Sequence, residues 1–221
     1  MTFDATTISM LKTAIWETFY MVALSSLFAY VIGLPFGIIL VVTDNDGIYP
    51  IPWLQKILGL VINLLRSVPF LILLFIVLPL SKIVIGTRIG SPAIVIPLTI
   101  AAAPYIARVV ESSFREIDPG VIEAAKSMGA STWQIIWKVL LPESRPSLLL
   151  GAALAVTTIL SYSAMAGFTG GGGLGAVAIN YGYYRYEPGL MWIAVILLVV
   201  MVQIIQEIGT QLSKRGDKRI R

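Results

Sequence analysis

The chain has 221 residues, 57% of them hydrophobic, and a formal net charge of +4 with neither cysteine nor histidine. A mean hydropathy of +0.86 is more apolar surface than a water-soluble domain of this length can hide, so the composition calls for lipid as solvent. Disulfides, thiol nucleophiles, the usual zinc sites and histidine bases are excluded, and no G-x-x-x-x-G-K-[ST] stretch supplies a phosphate loop.

The expected fold class is an all-α polytopic membrane protein. A spanning helix needs about 20 apolar residues to cross the hydrocarbon layer. Five stretches qualify, at about 18–42, 57–80, 91–107, 147–166 and 188–206. Residues 1–17 read as an outer or interfacial segment. They lack a basic n-region, and the apolar run that follows is too long for a signal-peptide core, so it is expected to stay as a span with Trp16 and Tyr20 at its interface. That first span carries small residues at every fourth position, Ser25, Ala29, Gly33 and Gly37, a pattern that lets helix backbones approach in lipid. Ser147, Gly151 and Ala155 repeat it in the fourth span. Both rows suit packing inside one subunit, or a subunit seam.

The second span contains Arg66, and only Val68–Ser81 is free of charge after it. Arg66 is therefore expected near the headgroups, its side chain reaching toward phosphate, or else in a gating or coupling role at that end, with the preceding residues lying along the surface. Prolines at 35, 69, 79, 92, 97 and 104 fall in or near spans and can kink them.

Between the third and fourth spans lies a polar loop, 118–142. Asp118-Pro119 is a helix start, an acceptor followed by proline at the first helical position. That helix is expected to run to about Met128 and stop at Gly129, which can take a left-handed cap. Ser131-Thr132-Trp133-Gln134 fits a capping box and opens a second helix bearing Ile135, Ile136, Val139 and Leu140, followed by Pro142. Ala124, Ala125 and Gly129 leave the first helix shallow enough for a partner's backbone, and Glu123 adds a carboxylate. By residue chemistry alone the loop is either a docking element or an interfacial amphipathic helix.

The glycine-rich stretch 167–175 lacks the lysine of a phosphate loop and reads as a flexible turn or a partly re-entrant segment. Tyr162, Ser163 and Met165, just before it, are candidate pathway or gate residues. A basic tail, 213–221, ends the chain. With the N-terminus outside and the C-terminus inside, the inner side holds Lys56, Arg66, Arg108, Arg115, Lys126, Lys138, Arg145, Lys214, Arg215, Lys218, Arg219 and Arg221. The outer side then holds only Lys12, Lys82, Arg88 and Arg185, so the excess of basic residues favours this orientation and makes the 118–142 loop cytoplasmic. An ion-coupled carrier would be expected to place acidic residues within its spans, and none falls inside the five stretches. A non-transporting scaffold would not need the kinked spans and the glycine segment together.

Glu123-Ala124-Ala125, three residues, Gly129, nine residues, Val139, one residue, Leu141-Pro142 resembles the EAA loop of ABC importer permeases, departing only at Val139, where isoleucine is usual. The likeness extends along nearly the whole chain to the methionine importer permeases. It is carried by Arg66-Ser67-Val68-Pro69-Phe70, Pro104-Tyr105-Ile106-Ala107-Arg108, Tyr162-Ser163-Ala164-Met165-Ala166-Gly167 and Asn180-Tyr181-Gly182-Tyr183. The resemblance implies a type I ABC importer fold with residues 18–212 as the transmembrane domain. It implies a homodimer in the cytoplasmic membrane and two cytoplasmic ATPase subunits docking on Glu123, Ala124, Ala125, Gly129, Leu141 and Pro142. It further implies an outer substrate-binding lipoprotein, and no nucleic acid as partner. The chain would be no enzyme: ATP and magnesium would be held by the ATPase, with no cofactor and no metal on this chain. Methionine would be carried by alternating access, with another amino acid or related small substrate as the alternative.

Overall fold

A computed structural model describes residues 4–216. Every regular element among them is helical. Ten α-helices follow in order: α1 Ala5–Val42, α2 Pro52–Ser67, α3 Phe70–Ile85, α4 Ser91–Arg115, α5 Pro119–Ser127, α6 Thr132–Ile135, α7 Leu141–Glu143, α8 Arg145–Ala164, α9 Gly173–Val177 and α10 Pro188–Gly216. Three wider or tighter helical turns join some of them, at Ile136–Leu140, Met165–Thr169 and Ala178–Tyr183.

The helix boundaries correct the sequence expectation in four places. The segment 1–17 is not separate from the first span, because α1 is already helical at Ala5 and runs for 38 residues. The second span is not one helix. Val68 precedes a proline and avoids the α conformation, so α2 ends at Ser67 and α3 starts at Phe70 with Pro69 as its N-cap. The two qualify as a membrane crossing only as a pair bent sharply at that break, beside four single helices long and apolar enough to span. α10 continues from the fifth apolar run into the start of the basic tail; of that tail, Lys218, Arg219 and Arg221 lie outside the described residues.

The fourth correction is at Pro142, which does not end a helix. The turn before it widens to i→i+5 hydrogen bonding, with the Leu141 N–H donating to the Ile136 carbonyl. A proline in a regular helix would clash with the carbonyl four residues back, and the wide turn moves those carbonyls away. α7 then begins around Pro142, and Ser144 donates its hydroxyl to the Leu140 carbonyl at 2.6 Å just before α8 starts.

Two compact units make up the chain. One comprises residues up to Ala29, Val68–Ala102 and Val156–Gln206; the other comprises Tyr30–Ser67, Ala103–Ala155 and the residues from Glu207 on. α1, α4, α8 and α10 supply residues to both.

In the first unit Ala14, Leu174, Val177 and Ala194 form a buried cluster on which Met10, Leu11, Leu197 and Met201 pack. Ser25 donates to the Val95 carbonyl at 3.3 Å, and Ser81 to the Ala93 carbonyl at 2.7 Å. In the second unit Leu40, Ile62 and Ala107 make the core, with Leu58 against it. There α1 and α4 approach so closely that a Cβ at Gly33 would lie 2.7 Å from the Ala103 carbonyl oxygen. One at Gly37 would lie equally near that of Ala107. The small residues of α1 thus serve packing inside the subunit. So does Gly151, which faces Val109. Trp192, Ile196, Val199, Val200 and Ile204 of α10 are exposed, an apolar face of the kind lipid solvates.

Candidate functional site

The 118–142 loop folds as its local chemistry demands. Asp118 accepts from the Gly120 N–H at 2.8 Å and Pro119 opens α5. At the other end Gly129 sits at φ +77°, where a residue with a Cβ is strained. Its N–H donates to the Lys126 carbonyl at 2.9 Å, and the Ala130 N–H reaches the Ala125 carbonyl at 3.1 Å. The capping box is complete: the Ser131 N–H donates to Gln134 Oε1 at 2.8 Å and the Gln134 N–H to Ser131 Oγ at 3.3 Å.

This hairpin has an anchored face and a displayed face. Ala125, Ile135, Ile136 and Leu140 are buried. Glu123, Ala124 and Gly129 are exposed, as is Pro142, while Leu141 is half-buried. Met128 is 81% exposed and Trp133 67%, and the Trp133 ring meets Trp137 edge-on at 5.5 Å. The motif alanines therefore divide, Ala125 holding the helix down and Ala124 facing outward. A carboxylate, a bare backbone and large apolar side chains on one rigid turn make a surface suited to a protein groove.

Charged side chains that the sequence reading had counted only toward topology, or passed over, gather behind this hairpin. Glu111 of α4 is buried, and its carboxylate accepts from Arg108 Nη1 at 2.5 Å and from Arg115 Nη2 at 3.1 Å. Arg115 also reaches Asp44 Oδ2 at 2.5 Å, in the turn after α1. Arg108 Nη2 donates to Asn63 Oδ1 at 2.8 Å and the Gly59 carbonyl at 3.2 Å, both on α2. Lys126 of α5 donates to the Gly47 carbonyl at 3.4 Å in the same α1–α2 turn. The spacing Arg108, Glu111, Arg115 was a readable signal, since residues three and four apart share a helix face. Asp44 and Asn63, distant in sequence, carried none. Because α4 runs to Arg115, a buried acidic residue does lie within one of the long apolar helices, which the shorter expected span had left out.

The other candidates are placed as follows. Tyr162 stacks on Phe70, centroids 4.5 Å apart and planes 4° from parallel, which joins two of the motif stretches. Ser163 is buried and donates to the Leu160 carbonyl of its own helix at 2.7 Å, whereas Met165 is exposed. The structure thus does not bring Ser163 and Met165 to one surface. Arg66 is exposed in the last turn of α2, where a cation meets the negative end of the helix dipole.

The glycine stretch is a packed element, not a loose turn. Gly171, Gly173, Leu174 and Gly175 are buried. Glu17 Oε2 accepts from the Gly173 N–H at 2.7 Å, and Thr18 Oγ1 from the Leu174 N–H at 2.9 Å. Two side chains of α1 thereby satisfy the first amides of α9. No group of three or more acidic side chains that could hold a metal forms among the described residues.

The chain is 48% identical over 210 residues to a probable D-methionine transport system permease protein of Vibrio cholerae, covering 95% of this chain and 93% of that protein. It is 44% identical over 158 residues to the D-methionine transport system permease protein of Escherichia coli K12, covering 72% and 73%. Its fold superposes on a chain of the MetNI methionine ABC transporter in an inward-facing conformation with a TM-score of 0.96 at 40% identity, over 97% of this chain and all of that one. A chain of an amino acid ABC transporter crystallised with histidines shares the fold alone, with a TM-score of 0.77 at 19% identity over 97% of this chain and all of that one. Residues 33–216 match the model of the binding-protein-dependent transport system inner membrane component, and the chain belongs to that family of membrane permeases.

Proposed function

We propose that this chain is the membrane-spanning subunit of an ATP-driven methionine importer, acting as a homodimer. Two separate cytoplasmic ATPase subunits dock on its 118–142 hairpins, and an outer binding protein delivers substrate. The observation that carries the reading is the displayed face of the hairpin. Glu123, Ala124 and Gly129 stand exposed on a helix fixed at both ends, in a chain that has no nucleotide motif. Relatives named as D-methionine permeases support the substrate. The inner excess of basic residues supports an outside N-terminus and an inside C-terminus.

The mechanism follows from the need for a contact that differs between two states. ATP and magnesium bind the partner ATPases and draw them together. Each ATPase carries its docked hairpin with it. α5 is tied to α4 through the short turn Glu116–Asp118, and α6 runs through the wide turn into α8, so motion of the hairpin reaches two long apolar helices directly. The helices then reorient to open a central pathway outward, and hydrolysis resets them.

The test is uptake of labelled methionine in an auxotroph lacking its own importer, with the chain expressed beside its cognate ATPase and binding protein. ATP-dependent uptake competed only by methionine and close analogues is the expected result. Competition by a different amino acid moves the substrate, and uptake driven by an ion gradient without the ATPase overturns the reading. Gly129→Asp is expected to abolish uptake while the dimer stays folded.

A further inference from the structure

The charges behind the hairpin do more than neutralise one another. Arg108, Glu111, Arg115 and Asp44 are two cations and two anions joined in series, and the series ties two other elements, α2 and the α1–α2 turn, to α4. Arg108 grips α2 through Asn63 and the Gly59 carbonyl. Arg115 grips the α1–α2 turn through Asp44. That turn also accepts Lys126, which lies inside the motif helix α5 between Ala125 and Ser127. An open cleft of about 230 Å³ lies between the turn and α5, lined by Asp44, Gly47, Arg115, Pro119 and Ile122. Of the four only Glu111 is buried, so leaving its carboxylate without an arginine is costly, whereas the outer Arg115–Asp44 link adds little net stability and serves to select one arrangement over others. Arg108 Nε is buried without a partner, a donor that this arrangement leaves unused.

We propose that Glu111 and Asp44 are positioning residues for coupling: the series of ion pairs they complete makes α2, the α1–α2 turn and the hairpin helix α5 move with α4 as one body. The proposal rests on the importer reading. It gives the acidic residue buried in α4 a transmitting role in place of an ion-carrying one.

The experiment uses the whole complex in proteoliposomes and measures transport per ATP hydrolysed, with whichever amino acid the wild-type complex imports. A wrong substrate assignment then changes the label and leaves the comparison intact. Asp44→Asn, at the less buried end, and Glu111→Gln are expected to co-purify with the ATPase yet lower the ratio by about two- to thirtyfold, the range by which coupling networks modulate linked sites. Asp44→Glu, which keeps a carboxylate within reach of Arg115 and leaves the Arg115–Glu111 pair intact, is expected to retain most of it. Hydrogen exchange over 119–130 is the second measurement, read on the same complexes without substrate, and Asp44→Asn is expected to raise it. An unchanged ratio, Asp44→Glu no better than Asp44→Asn, loss of ATPase binding in both Asp44→Asn and Glu111→Gln, or unchanged exchange overturns the proposal.

Discussion

Replacing Gly129 separates backbone geometry from side-chain bulk at the 118–142 hairpin, the proposed ATPase contact. The residue sits at φ +77°, and a Cβ built there has nothing within 4 Å, so alanine meets no steric obstacle and the whole cost is conformational. The left-handed conformation costs a residue with a Cβ about 1–2 kcal/mol. Exposed and free, the hairpin of a Gly129→Ala variant is able to relax out of the cap, giving up the Gly129 and Ala130 N–H bonds to the Lys126 and Ala125 carbonyls. Docking then has to restore the cap, so the cost reappears as about five- to thirtyfold weaker binding of the ATPase subunit. Asparagine enters the left-handed region more readily, and Gly129→Asn is expected to lose much less. The assay is a titration of the cognate ATPase against the permease in nanodiscs. Wild-type affinity for Gly129→Ala would refute the reasoning, and so would a larger loss for asparagine than for alanine, because side-chain size would then be the cause.

Three further substitutions probe the elements around the sites. Ser131→Ala removes the hydroxyl that caps the second hairpin helix and is expected to cost about 1 kcal/mol locally, read as about fivefold faster amide exchange at Gln134 and Ile135; unchanged exchange would show that the cap carries no load. Glu17→Ala deletes the carboxylate that accepts from Gly173 and is expected to destabilise by about 1.5–3 kcal/mol, visible as a lower melting temperature, with Glu17→Gln recovering part of the loss by keeping an acceptor. Gly175→Ala pushes a methyl group into the backbone of Ala164, which has no rotamer to yield, and is expected to cost about 1–3 kcal/mol in the same melting assay.

What could be read from the residues was what local chemistry decides. Asp118, Gly129 and the Ser131–Gln134 pair each fix a helix end through neighbours within four residues, and all three ends lie where those residues put them. Pro69 broke the second span for the same reason. Long-range partnership was hidden. Glu17 and Gly173 are 156 positions apart, and hydropathy alone assigned Glu17 to a surface segment because it, Lys12 and several threonines dilute the apolar signal of α1. Glu111 escaped because the charge of Arg108 truncated the expected span at Ala107, whereas Arg108 and Arg115 on the same helix compensate its carboxylate inside. Pro142 misled because a helix can widen to accommodate a proline instead of ending, as the turn at Ile136–Leu140 does.

The wide turn at Ile136–Leu140 sets the tolerance of this region to changes in length. Such a turn holds one residue more than the regular helix it interrupts. Deleting a residue there would remove the wide turn that accommodates Pro142, and whatever helix re-formed beyond it would be rotated by about 100° about its axis and drawn back by about 1.5 Å. Gly151, now set against Val109, would swing away from α4, and Ser147 would lose its hydroxyl contact with Ser113. The surplus residue therefore phases the docking hairpin to the membrane helix. A variant shortened at this point would keep every motif residue and still present α8 by the wrong face.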